Sequence, residues 1–212
     1  MSSSVPVAAT LAEIYPEAAL ATEAPRWNTL LERFEKQYGH SASFIARSPG
    51  RVNIIGEHID YSLYSVLPMA ITADAIVAVS ARPVAQGAKT FKISISNLQD
   101  ARFPAKEFEV PVSGDVEIDS KVFEWTNYFK SGLRGALELL RKHNGDDFVP
   151  CDMEVMMDGN VPVGGGLSSS AAFVSTSALA VMTANGASPV DKKELTELAI
   201  VSERAVGVNS GG

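Results

Sequence analysis

A loop rich in glycine and serine occupies residues 159–173, whose sequence is GNVPVGGGLSSSAAF. Its glycines let backbone N–H groups approach a ligand without obstruction by side chains, and its serines add hydroxyl donors. An alanine-rich helix follows, and its N-terminus contributes unpaired N–H groups and the positive end of the helix dipole. The pattern favours a polyphosphate ligand. It lacks the Gly-Lys-Ser/Thr of a Walker loop, and a structural turn before a core helix is the alternative.

A second group of reactive side chains lies in residues 47–62, RSPGRVNIIGEHIDYS. Glycines on either side of its apolar residues predict a short strand entered and left by tight turns, with EHID in the following loop. Glu57, His58 and Asp60 can hydrogen-bond several hydroxyls, as a sugar requires. The guanidinium of Arg51 can steady a phosphoryl group. A metal site at His58 and Asp60, or a solvated polar turn, is the alternative.

Glu203 is the third candidate, because it lies at the edge of an apolar helical stripe. A carboxylate at the rim of a buried face could ligate Mg²⁺. It could equally pair with a neighbouring lysine or arginine, which is the more frequent role of a single acid.

Composition limits the classes of function. The 212 residues carry a formal net charge of −7, which argues against non-specific binding to nucleic acid or to anionic membranes. Cys151 is the single cysteine, so no intrachain disulfide can form and a reducing compartment, the cytoplasm, is expected. No apolar run approaches the roughly 20 residues needed to span a bilayer, so no membrane partner is expected.

The periodicity of apolar residues predicts the strands and helices that position these residues. Residues 1–25 are expected to form a loosely ordered lead-in, and residues 26–212 a mixed α+β domain with strands mostly in its first half. Strands are predicted at residues 43–48, 73–81, 91–96, 106–110 and 151–159. Helices are predicted at residues 25–38 with Gly39 as C-terminal cap, 122–141, 169–184, and 189–206 with Ser188 as N-cap.

The two motifs together resemble those of the galactokinases, which belong to the GHMP small-molecule kinase superfamily. GRVNIIGEHIDYS is similar to the galactokinase signature, and VPVGGGLSSSAAF to the ATP-binding motif of the superfamily. EHIDYSLYSVLPMAI and FEWTNYFKSGL look most like the fungal branch. The resemblance implies an N-terminal lobe like the second domain of ribosomal protein S5, with a mixed sheet packed by helices. It also implies transfer of the ATP γ-phosphate to the 1-hydroxyl of D-galactose with Mg²⁺.

The resemblance assigns roles residue by residue. Arg51 matches an arginine beside the transferred phosphoryl group and the sugar, and Glu57, His58 and Asp60 match galactose-binding residues. The ATP phosphate loop is matched by Gly164, Gly165, Gly166, Ser168 and Ser169, and the Mg²⁺ ligands by Ser170 and Glu203. The aspartate base of the family is expected immediately after Gly212, followed by a C-terminal lobe. The chain is therefore expected to be an N-terminal fragment with little activity alone.

Two alternatives to a galactose kinase stay open. Fungi contain galactokinase-like sensors that bind galactose and ATP and grip a transcriptional repressor, and some of these lack a Ser-Ala pair in the GLSSSA loop. That loop is complete here, through Ser168, Ser169, Ser170 and Ala171, which favours catalysis without excluding a bifunctional enzyme and sensor. The other alternative is a different sugar substrate, such as N-acetylgalactosamine.

Overall fold

The computed structural model describes residues 3–56, 64–122, 124–145 and 147–204, with the side chain of residue 204 left aside. Its centre is a five-stranded sheet in the order β1-β2-β5-β3-β4. The strands are β1 (Phe44–Ile55), β2 (Leu67–Arg82), β3 (Thr90–Asn97), β4 (Lys106–Pro111) and β5 (Asp152–Gly159). Strand β5 pairs antiparallel with β2 and parallel with β3, while β1–β2 and β3–β4 are antiparallel pairs. The predicted mixed α+β class is confirmed.

Helices cover both faces of this sheet. They are α1 (Glu17–Tyr38), α2 (Thr126–Asn144), α3 (Ser169–Ala184) and α4 (Lys192–Arg204). The smaller core packs α1 against one face through Leu30, Phe34, Ile76, Ala78 and Met156. The larger core packs the other face and includes Val77, Val79, Phe129, Leu133, Leu137, Val155 and Val181. Because alternate residues of β2 enter opposite cores, this strand has a continuous apolar sequence rather than an alternating one.

The beginning of the chain differs from the expected loosely ordered lead-in over residues 1–25. Helix α1 begins at Glu17, and a short 3₁₀ helix precedes it at Leu11–Glu13. The backbone N–H of Val5 donates to the carbonyl oxygen of Val190 at 2.8 Å, so this segment is docked on the chain before α4. The predicted cap is confirmed, because Gly39 ends α1 with φ of +79° and donates its N–H to the carbonyl of Glu35.

Other element ends shift by a few residues. Helix α3 spans the predicted residues, whereas α2 begins at Thr126 instead of Val122. The prediction of Ser188 as the N-cap of α4 is wrong, because Asp191 Oδ1 accepts the N–H groups of Lys193 and Glu194. No helix in the described part of the chain is long and apolar enough to cross a membrane.

Two glycines of α2 mark close helix contacts. A Cβ on Gly132 would lie 2.7 Å from the carbonyl oxygen of Val174 in α3. A Cβ on Gly135 would overlap Ser202 Oγ and lie 2.9 Å from Leu198 Cγ, both in α4. The absence of side chains at these positions therefore sets how closely α3 and α4 approach α2.

Candidate functional site

The glycine-rich loop connects the end of β5 at Gly159 to the start of α3 at Ser169. Gly164 and Gly166 have φ of +74° and +69°, in the left-handed region that glycine adopts without strain. A Cβ on Gly164 would meet nothing within 4 Å, so the loop faces open space. This geometry leaves backbone N–H groups accessible to a ligand beside the positive end of α3.

Ser168 is the one non-glycine residue with positive φ in the described segments of the chain, at 59°. It is the N-cap position of α3, but its side chain makes no hydrogen bond to the helix. Its hydroxyl donates instead to the carbonyl oxygen of Arg51 at 3.4 Å. The first N–H groups of α3 therefore receive no side-chain cap from Ser168, and a strained backbone is retained where a ligand can meet the helix.

The structure brings the two sequence motifs into direct contact. The backbone N–H of Arg51 in β1 donates to the carbonyl oxygen of Leu167 at 3.0 Å. At Gly50 an added Cβ would lie 2.8 Å from that same oxygen. The β1–β2 register shifts between Pro49 and Arg51, so the expected entry turn is an irregularity within a continuous strand. Glu57, His58 and Asp60 lie outside the described residues.

Ser170 and Glu203 meet between two helices. The Ser170 hydroxyl, in the first turn of α3, donates to Glu203 Oε1 in α4, and Glu203 is 1% exposed. The Ser131 hydroxyl of α2 donates to the carbonyl oxygen of Ser202, which holds this end of α4 in place. Across residues 3–56, 64–122, 124–145 and 147–204, no group of three His, Cys, Asp or Glu side chains could hold a metal. A hydroxyl and one carboxylate suit Mg²⁺, which takes its remaining ligands from water and phosphate.

A cavity of about 440 Å³ opens beside the loop. Ser169 and Ser170 line it, and so do four aromatic rings, from Phe103, Trp125, Tyr128 and Phe173. The Trp125 and Phe173 rings are nearly parallel, at 11° with centroids 6.3 Å apart. The polar lining includes Asn97, Gln99, Arg102, Lys106 and Glu124. Such a cavity can accept a flat heterocycle while its mouth interacts with charged groups.

Sequence reasoning missed this cavity, because its walls come from segments far apart in the chain, which include β2, β3, the β3–β4 connection, β5 and α3. Trp125 directly precedes α2, and its indole N–H donates to the carbonyl oxygen of Pro104 at 3.1 Å. Asn53 was also missed. Its Oδ1 is buried and has no hydrogen-bond partner within the part of the chain that the structure describes. An asparagine inside the apolar sequence VNII is the only signal that could have drawn attention to it.

Comparisons with known proteins agree with this geometry. Residues 32–81 match the galactokinase galactose-binding signature, and residues 127–212 match the GHMP kinase N-terminal domain. A galactokinase from Candida maltosa is 42% identical over 188 residues, which are 88% of this chain and 83% of that protein. The chain belongs to the galactokinase family.

Longer galactokinases match at similar identity. The galactokinase of Schizosaccharomyces pombe is 43% identical over 193 residues, which are 88% of this chain and 36% of that protein. The match to the Saccharomyces cerevisiae galactokinase likewise covers 36% of that protein. The chain thus spans about a third of the length of several curated relatives. The family resemblance seen in the two motifs is confirmed over most of the chain.

Solved structures confirm the fold. Lactococcus lactis galactokinase complexed with galactose superposes with a TM-score of 0.67 at 26% identity, over 87% of this chain and 44% of that one. Methanococcus jannaschii mevalonate kinase superposes with a TM-score of 0.56 at 18% identity, over 77% of this chain and 46% of that one, and supports the fold alone. The expected architecture of a GHMP kinase N-terminal lobe is therefore correct.

Proposed function

We propose that the protein transfers the γ-phosphate of ATP to the 1-hydroxyl of D-galactose. The observation that carries this proposal is the contact of β1 with the glycine-rich loop, through Arg51 and Leu167. It places the strand that leads into a sugar-binding signature against a loop suited to phosphate. Phosphoryl transfer depends mainly on such positioning and on electrostatic stabilisation.

ATP would bind with its phosphates at the glycine-rich loop and its base in the neighbouring cavity. Its phosphates would meet Gly164, Gly165, Gly166, Ser168 and Ser169, which lead into the N-terminus of α3. Its base would enter the adjacent cavity, against the aromatic rings that line it. The cavity lining carries two cations, Arg102 and Lys106, and three acids, Asp74, Glu124 and Asp158. Lys106 Nζ lies 3.3 Å from Glu124 Oε2.

Mg²⁺ would be held by Ser170 and Glu203, which the structure brings into hydrogen-bond contact. When bound, the ion offsets negative charge on the ATP phosphates. Arg51 would stabilise charge on the transferred phosphoryl group, and Glu57, His58 and Asp60 would hold the hydroxyls of galactose. These sugar contacts rest on the signature matched at residues 32–81.

A regulatory role could accompany catalysis. The complete sequence Ser168-Ser169-Ser170-Ala171 supports the enzyme, whereas a sensor would bind both ligands and contact a repressor without turnover. With a single cysteine the chain can form no intrachain disulfide, which supports a reducing compartment. We propose that the protein is located in the cytoplasm.

The test is to give the protein, at its full natural length, Mg-ATP together with galactose, glucose or N-acetylgalactosamine. Galactose 1-phosphate, followed by ³¹P NMR, is the expected product with galactose alone. An Arg51→Ala variant should lose most of this turnover, with Arg82→Ala as the matched control on the exposed end of β2. Tight binding of ATP and galactose without product would favour the sensor, and product only with another sugar would refute the proposed substrate.

A further inference from the structure

A network of buried charged side chains lies beneath the start of the glycine-rich loop. Asp74 in β2 is fully buried and Glu23 in α1 is 4% exposed, although both are acids. Arg26 of α1 contacts three carboxylates, with nitrogen-to-oxygen distances of 2.5 Å to Asp158, 2.7 Å to Asp74 and 2.8 Å to Glu23. Although burial lowers it, hydrogen bonds to these acids raise the pKa of Arg26 above its ordinary value. Asp74 and Asp158 also line the cavity beside the glycine-rich loop.

The network has further support on the β1 side. Arg47 Nε lies 2.5 Å from Asp74 Oδ2, so Asp74 receives one guanidinium on each carboxylate oxygen. The hydroxyl of Tyr15 also donates to Asp74 Oδ2 at 2.5 Å. A buried network that is satisfied in this way is rigid, since moving any member leaves another buried charge without a partner.

Asn160 connects this network to the loop. It follows the last residue of β5, and its backbone N–H donates to the carbonyl oxygen of Asp74 at 3.0 Å. Its Oδ1 accepts the backbone N–H of Asp74 at 2.7 Å, and its Nδ2 donates to Glu23 Oε1 at 3.2 Å. One side chain therefore fixes the first residue of the loop to both β2 and α1.

We propose that Asn160 is a positioning residue for phosphate binding, an inference that rests on the proposed function. The loop is held at two points, by Asn160 at its start and by the Leu167 contact with Arg51 at its end. Between them Gly164 and Gly166 supply little side-chain packing and much conformational freedom. Holding both ends reduces the entropy lost when the loop closes on phosphate, which raises affinity without adding a ligand contact.

Asn185 provides a matched control at the opposite end of β5. Its Oδ1 accepts the N–H of Cys151 at 2.9 Å, and its Nδ2 donates to the carbonyl oxygen of Val181 at 2.8 Å. Asn160 and Asn185 thus each make two side-chain hydrogen bonds next to the same strand. A purely structural role predicts similar consequences for both substitutions, while the proposed role predicts different ones.

The experiment compares Asn160→Ala with Asn185→Ala by calorimetric titration with Mg-ATP and by hydrogen exchange of the amides in residues 161–169. Asn160→Ala should raise the Kd for Mg-ATP about tenfold, the equivalent of roughly one lost hydrogen bond. It should also accelerate exchange in those residues. Asn185→Ala should leave the Kd for Mg-ATP within about twofold, because the hydrogen bonds that it removes do not involve the glycine-rich loop. If Asn160→Ala fails to fold, Asn160→Asp replaces it, because aspartate keeps the shape of the side chain. Its carboxylate would face the carboxylate of Glu23, so this variant should also weaken Mg-ATP binding.

The outcomes separate the two proposals. If the unsubstituted chain binds Mg-ATP and both Asn160 variants bind it as tightly, the positioning role is overturned while the proposed function stands. If both asparagine sites weaken binding equally, the effect is general destabilisation and the positioning role is again overturned. If the unsubstituted chain binds no Mg-ATP, the proposed nucleotide site fails and the positioning role fails with it.

Discussion

The backbone N–H of Arg51 donates to the carbonyl oxygen of Leu167 at 3.0 Å, and this bond joins the two chemical motifs of the chain. The adjacent bond from Ser168 Oγ to the Arg51 carbonyl oxygen joins residues 117 positions apart in sequence. A main-chain contact of this kind does not depend on the rotamer of either side chain. It therefore fixes the end of the loop relative to β1.

Gly50→Ala should disturb this contact. Its Cβ would lie 2.8 Å from Leu167 O, 3.0 Å from Val161 Cγ1 and 3.1 Å from Ile71 Cδ1, so β1 and the loop must separate. We expect a loss of about 1–3 kcal/mol in the free energy of unfolding, measured by urea denaturation. Gly114→Ala is the control, because the atoms within 4 Å of its Cβ belong only to the side chain of Pro111 and none to the backbone. An unchanged urea midpoint for Gly50→Ala would show that the contact is not tight.

The parts of the fold that were predicted correctly are those with local signals. Helix α3 begins within the serine run, at Ser169, and spans the predicted residues, and Gly39 ends α1 as its position suggested. The start of α1 was missed because its first eight residues, EAALATEA, favour a helix without showing apolar periodicity, and Pro25 resembled a helix start.

Long-range contacts account for most of what sequence reasoning missed. The Arg26 contacts with Asp74 and Asp158 join residues 48 and 132 positions apart. Neither acid lies in the motifs at residues 47–62 and 159–173, so the sequence shows no local pattern for their pairing with Arg26. The aromatic cavity has the same origin, because Trp125 and Phe173 become neighbours only when α2 packs against α3.

Glu203→Gln and Ser170→Ala should each raise the Mg²⁺ concentration required for ATP binding by about tenfold, as loss of a ligand or of its orienting partner does. The glutamine keeps the size and the hydrogen-bonding oxygen of Glu203 but removes its charge. Mg²⁺ titrations at fixed ATP give the measurement. Ser177→Ala is the control, since that hydroxyl lies on the same helix and donates to the carbonyl oxygen of Phe173. Equal Mg²⁺ dependence in all three variants would place the ion elsewhere.

Gly135→Ala should displace α4, because its Cβ would overlap Ser202 Oγ and approach Leu198 Cγ to 2.9 Å. Alanine is favoured over glycine in a helix by up to about 1 kcal/mol, so any net loss of stability must come from the steric conflict. We expect the steric conflict to outweigh the helix preference and to lower the free energy of unfolding by about 1–2 kcal/mol. Glu138→Ala, on the exposed face of the same helix, should change thermal stability little. A stabilised Gly135→Ala protein would contradict the close contact of α2 with α4.

Tyr15→Phe should show how much stability the protein loses at high pH when the Tyr15 hydroxyl of the buried network ionises. Burial and the hydrogen bond to Asp74 raise the pKa of Tyr15 from its ordinary 10.0 to about 12. The fold therefore favours the neutral phenol, and this stabilisation is complete below about pH 10 and is lost as the pH rises through about 12. Tyr15→Phe should cost about 1–2 kcal/mol at pH 7 because Asp74 loses a donor and Trp27 Nε1 loses its acceptor.

The measurement is the urea midpoint between pH 8 and 11.5, together with the tyrosinate absorbance. Burial also raises the pKa of Tyr38, so part of the alkaline loss should persist in the Tyr15→Phe protein. The difference between the two proteins isolates the contribution of Tyr15. Tyr64→Phe is the control, because Tyr64 is 68% exposed and removing its hydroxyl should leave the midpoint unchanged. If the original protein and Tyr15→Phe lose stability in parallel above pH 10, the Tyr15 hydroxyl does not ionise with a raised pKa in the network.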